Sequence, residues 1–102
     1  MVILQVDFDY KGGYDEDMFK ECENLAKSIA CEPGFMWKIW TQNKEKNTSG
    51  GIYAFKSKDD AQKYIKMHLS RLEKSGLASN FRYEIFETNE KLSAITNFPP
   101  KS

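Results

Sequence analysis

The stretch Phe35-Met36-Trp37-Lys38-Ile39-Trp40-Thr41 limits what this chain can become more than any other. Its aromatic and β-branched content predicts a strand, and successive side chains of a strand point to opposite faces of the sheet. Phe35, Trp37 and Ile39 are then expected on one face, with Met36 and Trp40 on the other. A sheet carrying large apolar groups on both faces needs cover on both. Leaving two or three such groups in water forfeits ~1.5 to 3 kcal/mol each and creates an aggregation-prone patch.

The neighbouring segments indicate where the cover comes from. Residues 2 to 10 alternate, with Leu4, Val6, Phe8 and Tyr10 on one face and Gln5, Asp7 and Asp9 on the other, which predicts a first strand ended by Lys11-Gly12-Gly13. An acidic first turn, Asp15-Glu16-Asp17, precedes Met18, Cys22, Leu25 and Ile29 at helical spacing, and Glu32-Pro33-Gly34 stops that helix. After the aromatic strand, a polar connection over residues 43–50 leads to Gly51-Ile52-Tyr53-Ala54-Phe55, so the two strands should form an antiparallel hairpin. Ser57 with Asp60 resembles a capping box opening a second helix through Ala61, Ile65, His68 and Leu72, and Gly76 closes it. Residues 81 to 88 predict a fourth strand, with Phe86 opposite Phe81, Tyr83 and Ile85; Asn89 then caps a short turn with Leu92 and Ile95.

The order β-α-β-β-α-β is the ferredoxin-like α+β arrangement, in which two helices cover one face of a four-stranded antiparallel sheet. Residues 1–97 are expected to form this single domain, and residues 98–102 an extended tail that Pro99 and Pro100 keep from being helical. A second copy packing sheet against sheet would bury the other face symmetrically, giving a homodimeric α+β barrel. The alternative is a monomer whose terminal segment covers Trp40 and Phe86.

Charge and cysteine usage exclude several partner classes. Fifteen Lys and Arg balance fifteen Asp and Glu, so the surplus of positive charge that phosphate neutralisation demands is missing and no nucleic-acid partner is expected. No apolar run approaches the ~20 residues that span a bilayer, so no membrane role is expected. Met1-Val2-Ile3-Leu4 gives way to Gln5 and Asp7 without the basic start of a signal peptide, and a cytoplasmic location is the expectation. Cys22 and Cys31 lie half a turn out of phase and ~13 Å apart along one expected helix, too far to bond, and both read as buried structural thiols. A single His and no CxxC spacing offer no metal site of recognisable form.

A family resemblance runs through nearly the whole chain. Glu32-Pro33-Gly34-Phe35, Trp37-Lys38, Trp40-Thr41 and Gly50-Gly51-Ile52-Tyr53 with Phe55 are similar to the YdhR family of mono-oxygenases. Ala61, Tyr64, His68, Arg71-Leu72, Gly76, Phe86, Asn89-Glu90 and Leu92-Ser93 extend the match. The resemblance implies a dimeric α+β barrel related in fold to small oxygenases that oxidise aromatic polyketides without flavin, haem or metal. It therefore implies no cofactor, and a phenol, hydroquinone or anthrone-like substrate oxidised by dioxygen.

Such chemistry makes demands that residues can meet. A deprotonated electron-rich phenol can itself reduce dioxygen, so the protein must supply a dry aromatic pocket, a base near neutrality and donors for the developing oxyanion. Trp37, Trp40, Tyr53, Phe55 and Tyr64 are candidate walls. His68 is the side chain whose ordinary titration is nearest neutrality, and it interrupts the apolar stripe between Ile65 and Leu72. With Tyr64, Arg71 and Ser75 it forms a helical row, read either as a pocket edge with His68 as base or donor and Arg71 stabilising an anion, or as a satisfied core histidine beside a paired arginine.

Three other functions share this element order. Haem-degrading enzymes of the same barrel use an Asn on the first strand and a later His, where this chain offers Gln5, Asp7 and an early His68. The RNA-recognition motif partly resembles Gly51-Ile52-Tyr53-Ala54-Phe55, but lacks its basic start here and has Ile52 at an aromatic position. A non-catalytic dimeric small-molecule-binding protein needs the same cavity as the oxygenase and is the remaining alternative.

Overall fold

The structure, a computed structural model, describes residues 1–100. Seven elements follow in order: β1 (Val2–Tyr10), α1 (Glu16–Ala30), β2 (Phe35–Asn43), β3 (Thr48–Phe55), α2 (Lys58–Ser75), β4 (Ala78–Glu87) and α3 (Glu90–Ile95). The four strands form one antiparallel sheet in the order β2-β3-β1-β4. This is the ferredoxin-like α+β fold expected from the element order.

One face of the sheet carries the core. Leu4 and Val6 of β1, Tyr53 and Phe55 of β3, Ile29 of α1 and Ile65 of α2 are all fully buried. The periodicities of 2 and 3.6 thus converge on one layer between sheet and helices. Both expected caps of α2 are formed: the Ser57 hydroxyl accepts from the Asp60 amide at 3.1 Å, and Gly76 ends the helix at φ 73°. Asn89 caps α3 in the same way, accepting from the Leu92 amide at 3.1 Å.

Strand β2 departs from strict alternation, and this changes which residues share a face. Phe35 lies opposite Phe55, but Trp37 lies opposite Ala54, so β2 advances two residues where β3 advances one. Met36 is the extra residue of a β-bulge. Phe35 stays on the helix side, its ring 5.9 Å from that of Phe55. Beyond the bulge, Lys38 opposite Tyr53 and Trp40 opposite Gly51 point to the helices, whereas Trp37 and Ile39 point away. The expected grouping of Phe35 with Trp37 and Ile39, and of Trp40 with the outer face, is therefore corrected.

Smaller differences have local causes. The β2-β3 connection shrinks to a turn at residues 44–47, where Asn47 takes φ 54°, and the Ser49 hydroxyl bonds the Thr41 carbonyl at 2.8 Å. Strand β4 begins at Ala78 because Ala78 pairs with Tyr10. Cys22 is half-buried against the core and Cys31 is exposed at the C-cap of α1, so neither is the fully buried thiol expected. The tail is not extended where it starts: Asn97 at φ 72° turns the chain, the Phe98 amide donates to Ser93 at 2.9 Å, and the Phe98 ring lies 6.3 Å from Trp37. The tail residues Lys101 and Ser102 lie outside the described residues.

The face opposite the helices carries a row of Phe86, Ile3, Ala54 and Trp37 across the four strands. Phe98 lies against Trp37, and Ile39 and Phe86 on this face remain 55% and 41% exposed. Among the described residues no helix is long and apolar enough to cross a membrane.

Two glycines with the same positive φ separate conformational cost from space. Gly34 and Gly76 both take φ 73°, but a Cβ at Gly76 meets nothing within 4 Å, whereas at Gly34 it collides with the Asp60 carboxylate. Gly76→Ala is expected to cost ~1 to 2 kcal/mol, the left-handed penalty alone. Gly34→Ala should cost more, because it also dislodges Asp60 from the Ser57 cap. Urea unfolding of both variants checks the order.

Candidate active site

The bulge places Lys38 where an ammonium is seldom found. Its Nζ sits 3.2 Å from the centroid of the Trp40 ring and 4.5 Å from that of Tyr53. Space for its stem comes from Gly51, where a Cβ would lie 2.5 Å from Lys38 Cε. Among the described residues no carboxylate forms an ion pair with Lys38. Burial pushes its pKa from the usual 10.5 down to about 7; Cys22 offsets this in part and the Arg71 charge adds to it. The amine is therefore poised between its two protonation states at neutral pH.

Lys38, Trp40, Tyr53 and His68 line a cavity of about 160 Å³ between the sheet and the two long helices, with apolar walls such as Phe8, Met18 and Leu72 and with Glu21, Ser49 and Ser75 also at its lining. His68 is buried in the middle of α2. Its Nδ1 lies 3.2 Å from Arg71 Nη2, and its Nε2 lies 3.4 Å from the Tyr53 hydroxyl. A guanidinium only donates, so Nδ1 must accept and the ring proton must sit on Nε2, directed at Tyr53. Burial, with the positive charges of Lys38 and Arg71 behind it, lowers the His68 pKa from 6.5 to about 3. At neutral pH His68 is an uncharged donor whose free lone pair is already engaged.

The Tyr64 hydroxyl donates to the Tyr53 hydroxyl at 3.3 Å. Tyr53 thus accepts from both Tyr64 and His68, and its own proton is left to face the cavity it lines. Burial raises both phenols, Tyr64 to about 12, so both stay protonated. Behind this pair, Tyr64 stacks on His68 with ring centroids 5.0 Å apart and meets Phe55 at a tilt, with centroids 5.4 Å apart. Arg71 reaches on to the Ser28 hydroxyl of α1 at 3.4 Å, and its buried Nε has no partner.

The residues expected from sequence are thus divided among three places. Trp40, Tyr53 and His68 line the cavity; Phe55, Tyr64 and Arg71 stand behind its wall; Trp37 lies on the far face of the sheet against Phe98. Lys38 is the candidate group that sequence reasoning missed. A lysine inside an aromatic strand, between two tryptophans, was the available signal, but strict alternation gave it no place on the helix side. No group of three His, Cys, Asp or Glu side chains suited to a metal ion occurs among the described residues.

Fold and cavity together define a small ferredoxin-like α+β domain with an aromatic, amine-bearing chamber between helices and sheet. A mutant of SnoaB, a cofactor-independent oxygenase from Streptomyces nogalater, has a crystal structure of the same fold, with a TM-score of 0.63 at 16% identity over 86% of this chain and 92% of that one. No curated protein matches the chain. The chain belongs to the family described as "Putative mono-oxygenase ydhR", whose model matches residues 3–99.

The depressed His68 has a stability signature. Between about 3 and 6.5 the folded protein binds fewer protons at this site than the unfolded chain, so stability is lost as pH falls through that window. His68→Gln retains an acceptor for Arg71 and a donor for Tyr53 without titrating. Its melting temperature between pH 7 and pH 3.5 is expected to fall less steeply than that of the wild type; equal slopes would remove His68 as the source.

Proposed function

We propose that this protein is a cofactor-independent mono-oxygenase of small electron-rich phenols or hydroquinones, working as a homodimer. The observation that carries the reading is a lysine amine set between two aromatic rings, without a carboxylate ion pair among the described residues, sharing a cavity with a Tyr53 hydroxyl whose oxygen already accepts from His68 and Tyr64. Neutral Lys38 takes the phenolic proton, and the resulting phenolate reduces dioxygen directly. Tyr53 donates to the oxyanion that develops on oxygen. His68 and Arg71 act through Tyr53 and hold its acceptor side, while Trp40 and Tyr53 form the walls, backed by Phe55 and Tyr64. With a hydroquinone the balance is one dioxygen in, one oxygen atom gained by the ring to give a hydroxyquinone, and one water out. All four electrons come from the substrate.

Positioned proton transfer contributes typically ~10²- to 10⁴-fold, so Lys38→Met is expected to lower kcat/KM for methylhydroquinone by that factor. The pH profile of the wild type should rise with a midpoint near 7, set by the Lys38 amine. Labelled dioxygen should place one heavy atom in the product and one in water. Binding of hydroquinones without oxygen uptake would instead make the protein a binding module of oxygenase fold, and activity undiminished in Lys38→Met would remove the assigned base.

The dimer reading rests on Trp37, Ile39 and Phe86, which share the sheet face that the long helices leave open. Facing copies bury this apolar row, and the site on the other side of the sheet is unaffected. Ile39→Glu should give a folded monomer by light scattering; an intact dimer from that variant would place the interface elsewhere.

A further inference from the structure

A second and larger hollow lies outside the cavity, a groove of about 610 Å³ running along α1 beside the free edge of β2. Met18, Cys22, Ala26 and Ala30 face it at four-residue intervals, a row of ~18 Å of helix rise. Phe19 overhangs it, 58% exposed. Met18, Cys22 and Trp40 line both hollows, so groove and cavity meet at the Trp40 indole. The charges at the groove margin are already matched: Glu23 pairs with Lys27 at 3.5 Å, and Asp15 is held by Lys44 and Gln42. Among the described residues, each charged side chain lining the groove thus has a partner.

The sizes of the two hollows differ in a telling way. A cavity of roughly 150 Å³ takes one benzene ring, and the inner cavity, at about 160 Å³, matches that. Two or three fused rings do not fit beside Lys38 and Tyr53. A substrate whose ring occupies the cavity has its open direction past Trp40, into apolar surface.

We infer that the groove holds a hydrocarbon side chain of the substrate, and that the substrate class is a single-ring phenol or hydroquinone carrying an uncharged alkyl or prenyl extension. This rests on the reading of the inner cavity as the reacting site. The groove lies on the helix side of the sheet, so dimerisation through the opposite face leaves it open. Trp40 is then a specificity-determining residue, separating ring from chain.

Anaerobic calorimetric titration of 4-alkylphenols from methyl to octyl tests this without turnover. Full burial tightens binding about four-fold per methylene and half-burial, as in an open groove, about two-fold, so over seven methylenes the octyl compound should bind roughly a hundred-fold or more tighter than the methyl one. Ala26→Trp, and independently Ala30→Phe on the exposed end of α1, should flatten that dependence. Affinity independent of chain length would overturn the inference, as would an unchanged dependence in a folded groove-filled variant. Octanoate binding as tightly as octylphenol would overturn the assignment of the ring to the inner cavity. Chain-length dependence without oxygen uptake in air would leave the groove standing and remove only the oxygenase reading. Uptake with short phenols but no gain from the chain would do the reverse.

Discussion

The site depends on a single extra residue in β2. Without the bulge at Met36, Lys38 would follow Phe35 in the wrong phase and point to the sheet face that the long helices leave open. The bulge turns it inward, and three neighbours make its position tolerable: Gly51 leaves room for the stem, while Trp40 and Tyr53 present their negative ring faces to the ammonium. Cation-π attraction partly replaces lost hydration but does not replace a carboxylate. The net result is an amine held between charged and neutral, which is the state a proton acceptor needs at neutral pH.

The polar cluster around that amine is arranged by elimination of choices. A donor-only guanidinium sets the tautomer of His68, the tautomer makes the Tyr53 hydroxyl oxygen an acceptor rather than a donor towards it, and Tyr64 fills the remaining acceptor capacity. Three residues on α2 thereby decide the direction of one hydroxyl proton on β3. Two like charges near a buried imidazole would be costly if it protonated, and that cost keeps His68 neutral. The unpartnered Arg71 Nε marks where the network falls short of full satisfaction.

The fold was legible because its signals are local and repeated. Alternation in β1, the stripe of α1, the Ser57 and Gly76 caps and the polar turn after β2 each identify an element on their own residues, and together they dictate the topology. The site was legible only in part. His68 and Tyr64 stand out as polar interruptions of an apolar helical stripe, and the structure puts them together. Lys38 and Trp37 exchanged faces because a bulge has no compositional mark: Met36 suits a strand as well as any residue, and only the pairing with β3 shows that it is surplus. The same limit applies to Phe98, whose return onto Trp37 depends on the left-handed turn at Asn97 rather than on the prolines after it.

The separation of the two tryptophans by the thickness of the sheet gives the molecule two independent optical reporters. Trp40 lies under an ammonium at the mouth of the cavity, so its emission responds to the charge on Lys38 and to anything that enters. Trp37 lies on the far side against Phe98, and its emission responds to whatever covers that face. Replacing one indole by phenylalanine leaves a signal for occupancy, and replacing the other leaves a signal for association. The two processes can thus be followed separately in one solution.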